Sequence, residues 1–383
     1  MNTIALILNK FGDMLIVWLM KLDVLICILR LGRLSKCLQI MNHILKKERK
    51  VNSSVNGVRV SRLSNRCFVR FYIPGWPSKA FRRMVNNEIN YYLNPEDIHL
   101  NLLIIGFSRR CPLNCQHCLE WDRLGNVEEM GSQQLSYIIE KFQSFGVNQV
   151  HFSGGEPMMR YEELLRVLKT ARKDCDYWLL TCGYNLTKER LKNLKDLGLT
   201  GVSLSLDHWE SSFHNAFRGH DKSYEWVMEA VKNVRANNMP LCLSLCATRA
   251  FITVNNLEKY YLLGSQLGAQ FIQIIEPVNC GRFANKTVQL DEDSIRLLEK
   301  FYLEKNSRKT SVHLPTVVYV GYYQRRYGCQ SAGYKNLYVD TMGGVHACPF
   351  CQKAESICLE EPMQSIIKRL RKNGCHKFQR MKM

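Results

Sequence analysis

The sequence predicts an α/β fold in which parallel strands are joined by helical crossovers. From about residue 98, short apolar runs alternate with amphipathic runs, which is the pattern of repeated βα units. Six apolar runs predict the strands: 100–107, 149–154, 177–183, 201–207, 241–249 and 271–278. A closed eight-unit barrel usually needs about 250 residues, whereas these six units occupy about 180 residues. We therefore expect an incomplete barrel or an open curved sheet.

The segments between these strands predict the helices of the βα units. Each segment carries apolar residues at helical spacing, as in SQQLSYIIEKFQSFG, YEELLRVLKTARK, TKERLKNLKDLG and YEWVMEAVKNVRANN. In a barrel or an open parallel sheet, the loops that form the working face gather at the carboxyl ends of the strands. We therefore look for functional residues directly after each predicted strand.

Length, charge and cysteine content limit the class of protein. A chain of 383 residues with 46% apolar content is long enough for a catalytic domain with smaller attachments. The net charge of +19 is uneven, because residues 1–85 contribute +13, residues 364–383 contribute +7 and the middle contributes −1. The chain has sixteen cysteines but does not open with an apolar signal segment and a cleavage site. We expect a reducing, cytoplasmic location rather than a secreted disulfide framework.

Residues 1–50 are apolar, but charged residues interrupt them repeatedly. No uncharged run reaches the roughly 18 to 20 residues that cross a bilayer. The pattern predicts helices with a broad apolar stripe, which either pack on the catalytic domain or lie on an anionic membrane surface at the inner face of the membrane. A nucleic-acid-binding arm is disfavoured because aromatic residues are sparse, so we expect no nucleic acid partner.

The membrane alternative assigns a role to two sets of side chains. The apolar set that would enter the headgroup boundary is Leu15, Trp18, Leu19 and Leu22. The cationic set that would meet anionic lipid is Lys21, Arg30, Arg33, Lys46, Lys47, Arg49 and Lys50.

The segment RRCPLNCQHCLEW follows the first predicted strand and carries Cys111, Cys115 and Cys118. A structural zinc site takes four protein ligands, and iron-sulfur clusters that only carry electrons are held by four thiolates. Three thiolates on a cubane leave one iron open, and an open coordination position is what catalysis requires. The alternative from spacing alone is a zinc site that His117 or a distant residue completes.

This cysteine segment resembles the signature of radical S-adenosylmethionine (SAM) enzymes, C-x3-C-x-aromatic-C, in the loop after the first strand of a partial (β/α)6 barrel. Here His117 takes the ring position. The segment HFSGGEP places Gly154, Gly155, Glu156 and Pro157 after the second strand, and it is similar to the GGEP segment of the same family. Two glycines allow close backbone approach, and the carboxylate can accept hydrogen bonds from the SAM ammonium group. Taken alone, these four residues could also form an ordinary turn.

A weaker resemblance covers the later strands. The segment SLSLDHW, followed by FHNAFRG, looks like the S-x-D pattern of the family with a later Arg-Gly. The resemblance implies that Ser205 and Asp207 contact the ribose hydroxyls and that Arg218 binds the SAM carboxylate or closes the pocket. Thr248 ends the fifth strand and has a weaker case. The third strand departs from the family, because Cys182 stands where asparagine is common.

The tail carries a second set of cysteines. Cys329, Gly343 and Cys348 follow C-x13-G-x4-C, which is similar to the start of the SPASM and twitch extensions that hold auxiliary iron-sulfur clusters. NLYVDTMGGVHACPF predicts a hairpin, because apolar alternation flanks a Gly-Gly turn. A hairpin would bring the two cysteines together. A zinc ribbon is the alternative.

Three further cysteines in the tail could complete the auxiliary site. We expect one [4Fe-4S] cluster held by Cys329, Cys348 and Cys351, with Cys375 as the better fourth ligand and Cys358 as the spare thiol. The remaining cysteines match no ligand spacing and are interpreted as buried small apolar residues: Cys27, Cys37, Cys67, Cys175, Cys242, Cys246 and Cys280.

These patterns divide the chain into three predicted segments. They are an apolar basic helical extension over 1–95, a radical SAM core over 96–315 and a small cysteine-rich SPASM-like or twitch-like domain over 316–383. The resemblance covers roughly residues 98–383. It implies an α/β fold with a partial (β/α)6 TIM-like barrel.

The resemblance also implies an enzyme. SAM would bind the open iron of a [4Fe-4S] cluster, and one-electron reduction would yield a 5′-deoxyadenosyl radical that abstracts hydrogen from a substrate. The favoured substrate is a peptide or protein side chain, with a flavodoxin or ferredoxin as electron donor. A lipid or cell-envelope precursor or another small molecule is an alternative substrate. A non-catalytic iron-sulfur electron carrier is an alternative class, disfavoured because it needs no SAM pocket.

Overall fold

The computed structural model describes residues 3–30, 39–40, 42, 59–63, 65–307, 314–375 and 377–378. Several residues named above lie outside the described residues, namely Arg33, Cys37, Lys46, Lys47, Arg49 and Lys50.

The amino-terminal part combines two helices and a short hairpin. Helix α1 spans Thr3–Arg30, strand β1 (Ser61–Leu63) pairs antiparallel with β2 (Arg66–Phe68), and α2 spans Lys79–Leu93. Ser78 caps α2 by accepting a hydrogen bond from the Phe81 amide. One face of α1 packs on α2 through a small apolar core that contains Cys27, Ile28, Ile40, Phe81, Val85 and Ile89. None of the described helices has the length and apolar character needed to cross a bilayer.

A single large sheet follows. Its strands are β3 (Leu102–Ser108), β4 (Gln149–Gly154), β5 (Asp176–Thr181), β6 (Leu199–Ser205), β7 (Leu241–Cys246), β8 (Phe271–Ile275), β9 (Thr316–Tyr319), β10 (Asn336–Val339), β11 (Gly344–His346) and β12 (Ser356–Ile357). The helices that accompany them are α3 (Ser132–Ser144), α4 (Tyr161–Thr170), α5 (Lys188–Asp196), α6 (Ser211–Arg218), α7 (Ser223–Ala236), α8 (Val254–Gln266), α9 (Glu292–Lys305), α10 (Val320–Tyr327) and α11 (Met363–Asn373).

The strand order is β12-β11-β10-β3-β4-β5-β6-β7-β8-β9. Strands β3 to β8 are parallel neighbours in chain order, which confirms the six predicted strands and the predicted α/β fold with a partial barrel. The sheet extends beyond the prediction, because β9 pairs parallel with β8 and β10 pairs parallel with β3. Both extra strands come from the segment that the sequence assigns to the tail. The boundaries at 95 and 315 therefore stay predictions.

The helices cover one face of the sheet, and the segment before α2 covers part of the other. Phe71 is buried among Trp178, Phe271 and His151, and its ring centroid lies 4.8 Å from that of Trp178 and 5.1 Å from that of His151. Trp178 and Phe271 lie near the amino-terminal ends of β5 and β8. These aromatic side chains fill that end of the sheet, so the opposite, carboxyl-terminal edge is the one that can carry a site.

The aromatic packing generates a stability prediction. Phe71→Ala should lower the free energy of unfolding by about 3 to 5 kcal/mol, because it leaves a cavity among rigid rings. Tyr137→Ala on the outer surface of α3 is the matched control and should change stability by less than about 0.5 kcal/mol. Urea unfolding monitored by circular dichroism measures both. Equal losses for the two variants would contradict the assignment of Phe71 to the core.

Candidate functional site

The three predicted cysteines lie in one loop at the carboxyl-terminal end of β3. Cys111, Cys115 and Cys118 pack in the same small cluster as Leu113 and Cys182, and Cys182 follows β5. Cys115 is 8% exposed, and the other two loop thiols are half-buried. The loop therefore gathers its thiols against the residue that follows β5.

Burial governs the protonation of these thiols. It raises the pKa of Cys111 to about 12 and the pKa of Cys118 to about 11, and neighbouring thiols add to both shifts. Without a bound metal these two groups are protonated near neutral pH. Because iron binds the thiolate, loading the loop must release protons.

The carboxyl-terminal end of α6 holds the cysteine loop. The backbone amide of Asn114 donates to the Arg218 carbonyl oxygen at 3.1 Å, and the amide of Gln116 donates to the Phe217 carbonyl oxygen at 3.0 Å. The Arg218 guanidinium also reaches the thiol of Cys115, with Nη1 3.8 Å from Sγ. Arg218, predicted to act at the SAM site, is thus in contact with the cysteine loop itself.

Asp207 holds Arg218 in place. Arg218 Nε lies 2.5 Å from Asp207 Oδ2, and the Cys246 amide donates to Asp207 Oδ1 at 2.9 Å. Burial alone would raise the pKa of Asp207, but the positive charge of Arg218 brings it below the ordinary value. Both oxygens of this carboxylate already accept a protein hydrogen bond. The half-buried Ser205 and Thr248 lie at the ends of β6 and β7, on the same edge of the sheet.

The two glycines of the GGEP segment bring the end of β4 against the cysteine loop. The Gly155 amide donates to the Ser108 carbonyl oxygen at 2.7 Å, and the Glu156 amide donates to the Arg110 carbonyl oxygen at 2.8 Å. Gly154 has φ of +109°, and a Cβ atom there would lie 2.8 Å from the Ser108 oxygen. A Cβ atom at Gly155 would overlap the Arg110 oxygen. Close backbone approach was predicted here, and in the structure the approaching backbone is that of the cysteine loop.

Glu156 is buried and joins the ends of two strands. Its carboxylate accepts hydrogen bonds from the Met158 amide at 3.0 Å, the Thr181 hydroxyl at 2.7 Å and the Cys182 amide at 2.8 Å. Burial nevertheless raises its pKa. Pro157 begins the short 3-10 helix that follows, Pro157–Arg160. Sequence reasoning missed these three internal donors, because two of them lie at the end of the next strand and directly after it.

His117 carries a buried nitrogen that no described residue satisfies. Its ring stacks on Phe217 with centroids 4.6 Å apart, and Phe283 lies 6.3 Å away. Nδ1 is buried and has no hydrogen-bond partner among the described residues. Burial lowers the pKa of His117 to about 4, so the imidazole is neutral. A neutral ring with an unsatisfied nitrogen is suited to a polar ligand.

The tail forms the predicted hairpin and brings thiols together. Strands β10 and β11 pair antiparallel with Tyr338 opposite His346, and the turn between them contains Gly343. Beyond the hairpin, the Cys348 and Cys351 sulfurs lie 3.5 Å apart. The contact with Cys348 lowers the pKa of Cys351 to about 7, whereas the same contact raises that of Cys348.

The other tail thiols lie in two different places. Cys375 lies within hydrogen-bond reach of Cys329, and Cys329 lies close enough to Cys348 to influence its pKa. Cys358 is buried apart from them, where its amide donates to the Gly343 carbonyl oxygen at 2.8 Å. The arrangement favours Cys375 over Cys358 as a fourth ligand.

A buried polar network joins the cysteine loop to the tail. Glu120 accepts hydrogen bonds from the Tyr338 hydroxyl at 2.7 Å and the Thr341 hydroxyl at 3.0 Å. Arg123 donates to the Gln352 carbonyl oxygen at 2.9 Å. The Arg123 guanidinium also pairs with Asp340 at 3.3 Å. Sequence reasoning missed this network, which crosses more than two hundred residues of chain.

The same network reaches a tail thiol. Asp340 lies 2.8 Å from Nε2 of His346, and Nδ1 of His346 lies 2.7 Å from the Cys351 carbonyl oxygen. The hydrogen-bonded chain therefore runs from Arg123, near the cysteine loop, to the backbone of Cys351.

The donor chemistry of both thiol sets fits iron-sulfur clusters. In the part of the chain that the structure describes, no three His, Cys, Asp or Glu side chains are arranged as ligands of one metal ion. A cubane does not require that arrangement, because each thiolate binds a different iron. The loop offers three thiols with a guanidinium beside one of them, and the unsatisfied Nδ1 of His117 lies in the same loop. These features fit a cluster with a polar ligand at its open iron.

Comparison with known proteins gives matches over the same region. Residues 105–253 match the model of the Radical SAM superfamily. A PqqA peptide cyclase of Bradyrhizobium diazoefficiens is 32% identical over 146 residues, which cover 37% of this chain and 38% of that protein. A PqqA peptide cyclase of Streptomyces rochei is 27% identical over 268 residues, 68% of this chain and 72% of that protein. The chain thus spans about two fifths of the first relative.

Among solved structures, Streptococcus suis SuiB bound to the precursor peptide SuiA is similar in fold. The TM-score is 0.59 at 14% sequence identity, and the match covers 86% of this chain and 78% of that chain.

The internal contacts of Glu156 generate a second prediction. Glu156→Gln replaces an acceptor oxygen with an amide that faces a backbone or hydroxyl donor, so stability should fall by about 1 to 3 kcal/mol. Iron content should stay unchanged, because no thiol is altered, whereas SAM binding should weaken. Glu162→Gln, on the exposed surface of α4, is the matched control. Denaturant unfolding, iron analysis and equilibrium dialysis with SAM measure these effects. An unchanged stability would contradict the role of Glu156 in connecting the two strand ends.

Proposed function

We propose that this chain, whose residues 105–253 match the Radical SAM superfamily, is an enzyme that abstracts a hydrogen atom from a peptide or protein side chain. The observation that carries the proposal is the loop after β3, which presents three thiols at the carboxyl-terminal edge of a parallel sheet. When bound, the [4Fe-4S] cluster and SAM supply reductive cleavage to a 5′-deoxyadenosyl radical.

The residues of the cysteine loop and the residues around it would have different roles. Cys111, Cys115 and Cys118 would hold the cluster. Arg218, held in place by Asp207, would place a positive charge beside the Cys115 sulfur.

The ends of the other strands would shape the space around the open iron. The GGEP residues Gly154, Gly155, Glu156 and Pro157 would fix the wall of the pocket through their bonds to the loop and to β5. His117, Ser205 and Thr248 are the polar side chains proposed to face SAM. Asp207 would act chiefly through Arg218, because both of its oxygens already accept hydrogen bonds.

The tail would hold one auxiliary cluster through Cys329, Cys348, Cys351 and Cys375. Its place beside the cysteine loop would suit electron transfer or substrate binding. A flavodoxin or ferredoxin would supply the electron that starts the reaction. The proposed peptide substrate has support from the two relatives, which are both named as cyclases of the peptide PqqA.

Iron and SAM cleavage test the proposal directly. Anaerobically reconstituted protein should bind about eight irons per chain, as two cubanes, and reduced protein should convert SAM to 5′-deoxyadenosine. Cys118→Ala should keep about half of the iron and lose cleavage. Cys348→Ala should also lose about half but retain measurable cleavage without substrate, because the first cluster is complete. Cys67→Ala is the control, since that thiol belongs to neither set. Zinc in place of iron, with no cleavage, would refute the proposal.

The exposed side chains of helix α1 support the proposal that this protein makes a peripheral contact with the inner face of an anionic membrane. Its outer face exposes apolar side chains along the helix: Met14, Leu15, Trp18, Leu22, Ile26 and Leu29. Lys21 and Arg30 are exposed, and Leu19 is half-buried. Asp13 and Asp23 are instead buried in ion pairs with Arg62 and Arg82. The described outer face is therefore apolar and cationic, which suits an anionic lipid surface.

Vesicle sedimentation tests the membrane contact. Full-length protein should bind anionic vesicles, and binding should weaken as salt rises, because each cation near the surface contributes about 1 kcal/mol that salt screens. Trp18→Gln should reduce binding without loss of iron, whereas Tyr137→Gln on the surface of α3 should not. Equal sedimentation with neutral and anionic vesicles would contradict the proposal.

A further inference from the structure

The turn after β8 makes two backbone contacts with the cysteine loop. This turn is the short 3-10 helix Gly281–Phe283, preceded by the buried Cys280. The Arg282 amide donates to the Cys118 carbonyl oxygen at 2.9 Å. Gly281 has φ of +58°, and a Cβ atom there would overlap the same oxygen. Only glycine allows the turn to approach Cys118 this closely.

The Arg282 side chain binds the other half of the same loop. Its Nη1 donates to the carbonyl oxygens of Asn114 and Cys115, both at 3.1 Å, and to the side-chain oxygen of Asn114. The guanidinium also lies 5.9 Å from the ring centroid of Trp121. A planar guanidinium with five N–H donors can serve several acceptors at once, which a lysine ammonium does less well.

These contacts complement those that α6 makes. Helix α6 accepts hydrogen bonds from the loop amides of Asn114 and Gln116, whereas Arg282 donates to loop carbonyls. Within the loop, the hydrogen bond from the Cys118 amide to the Cys115 carbonyl oxygen is long, at 3.4 Å. The conformation of the loop is therefore set from outside, with donors on one side and acceptors on the other.

We propose that Arg282 is a positioning residue that sets the conformation of the Cys111–Cys118 loop. The inference rests on the proposed function only in calling the loop a cluster site. The hydrogen bonds themselves predict that loss of Arg282 frees the carbonyls of Asn114 and Cys115, so the loop should open more often.

Thiol labelling tests this role at the level of single residues. Full-length protein is reconstituted anaerobically, treated with chelator and then with iodoacetamide, and peptide mass spectrometry follows each thiol. In Arg282→Ala, labelling of Cys115 and Cys118 should be about tenfold faster than in the unmodified chain, with Cys329 and Cys348 unchanged. Arg282→Lys, which keeps the charge and one donor group, should give an intermediate rate.

Iron analysis and a control variant complete the test. Arg296→Ala, which removes an exposed arginine of α9, should label like the unmodified chain. Arg282→Ala should also lose iron from the first cluster faster in chelator, seen as earlier loss of its electron paramagnetic resonance signal. Unchanged labelling of Cys115 and Cys118 would overturn the proposal, and so would equal acceleration at all thiols, which indicates general unfolding. If the unmodified chain binds no iron, the proposed function fails while the labelling pattern still decides the role of Arg282.

Discussion

The buried ion pair between Asp207 and Arg218 is the interaction on which the candidate site depends. A buried charge needs a partner, and here each group neutralises the other while Asp207 also accepts from the end of β7. The pair fixes the last turn of α6, whose final carbonyls have no partner within the helix. The amides of the cysteine loop satisfy two of them, at Phe217 and Arg218. A helix end that needs donors and a loop that needs acceptors thus hold each other in place.

Parallel strand order converts distant residues into neighbours. Successive parallel strands end at the same edge, so the loops after β3, β4 and β5 lie side by side. The glycines after β4 bring two of these loops into backbone contact, and Glu156 continues the connection to Thr181 and Cys182. The carboxylate is costly to bury, and its three donors offset that cost. The site is therefore built on hydrogen bonds between loops rather than within them.

The sequence predicts the elements and motifs that hydrophobic periodicity and residue spacing define. It does not predict contacts between residues that are distant in the chain. The six strands follow from apolar runs, and the tail hairpin follows from alternation around Gly343. The addition of β9 and β10 to the sheet could not be predicted from their short apolar runs. Pairing with the edge of a sheet depends on where the intervening chain brings the strand in space. The partners of Asp207 and Glu156 were missed for the same reason. Arg282 had no signal at all, since it lies 164 residues from Cys118 in the chain.

The pairing of β10 with β3 ties the tail hairpin to the strand that leads to the cysteine loop. Strand β10 pairs with β3 in register, with Val339 opposite Ile105, so the hairpin that leads to Cys348 starts beside the strand that leads to Cys111. The spacing between the two sets is then set by a ladder of backbone hydrogen bonds. Glu120, Arg123 and Asp340 reinforce it with buried side-chain bonds. A tail joined only by a linker would leave that spacing variable, whereas the proposed electron transfer between two clusters requires it to be short and constant.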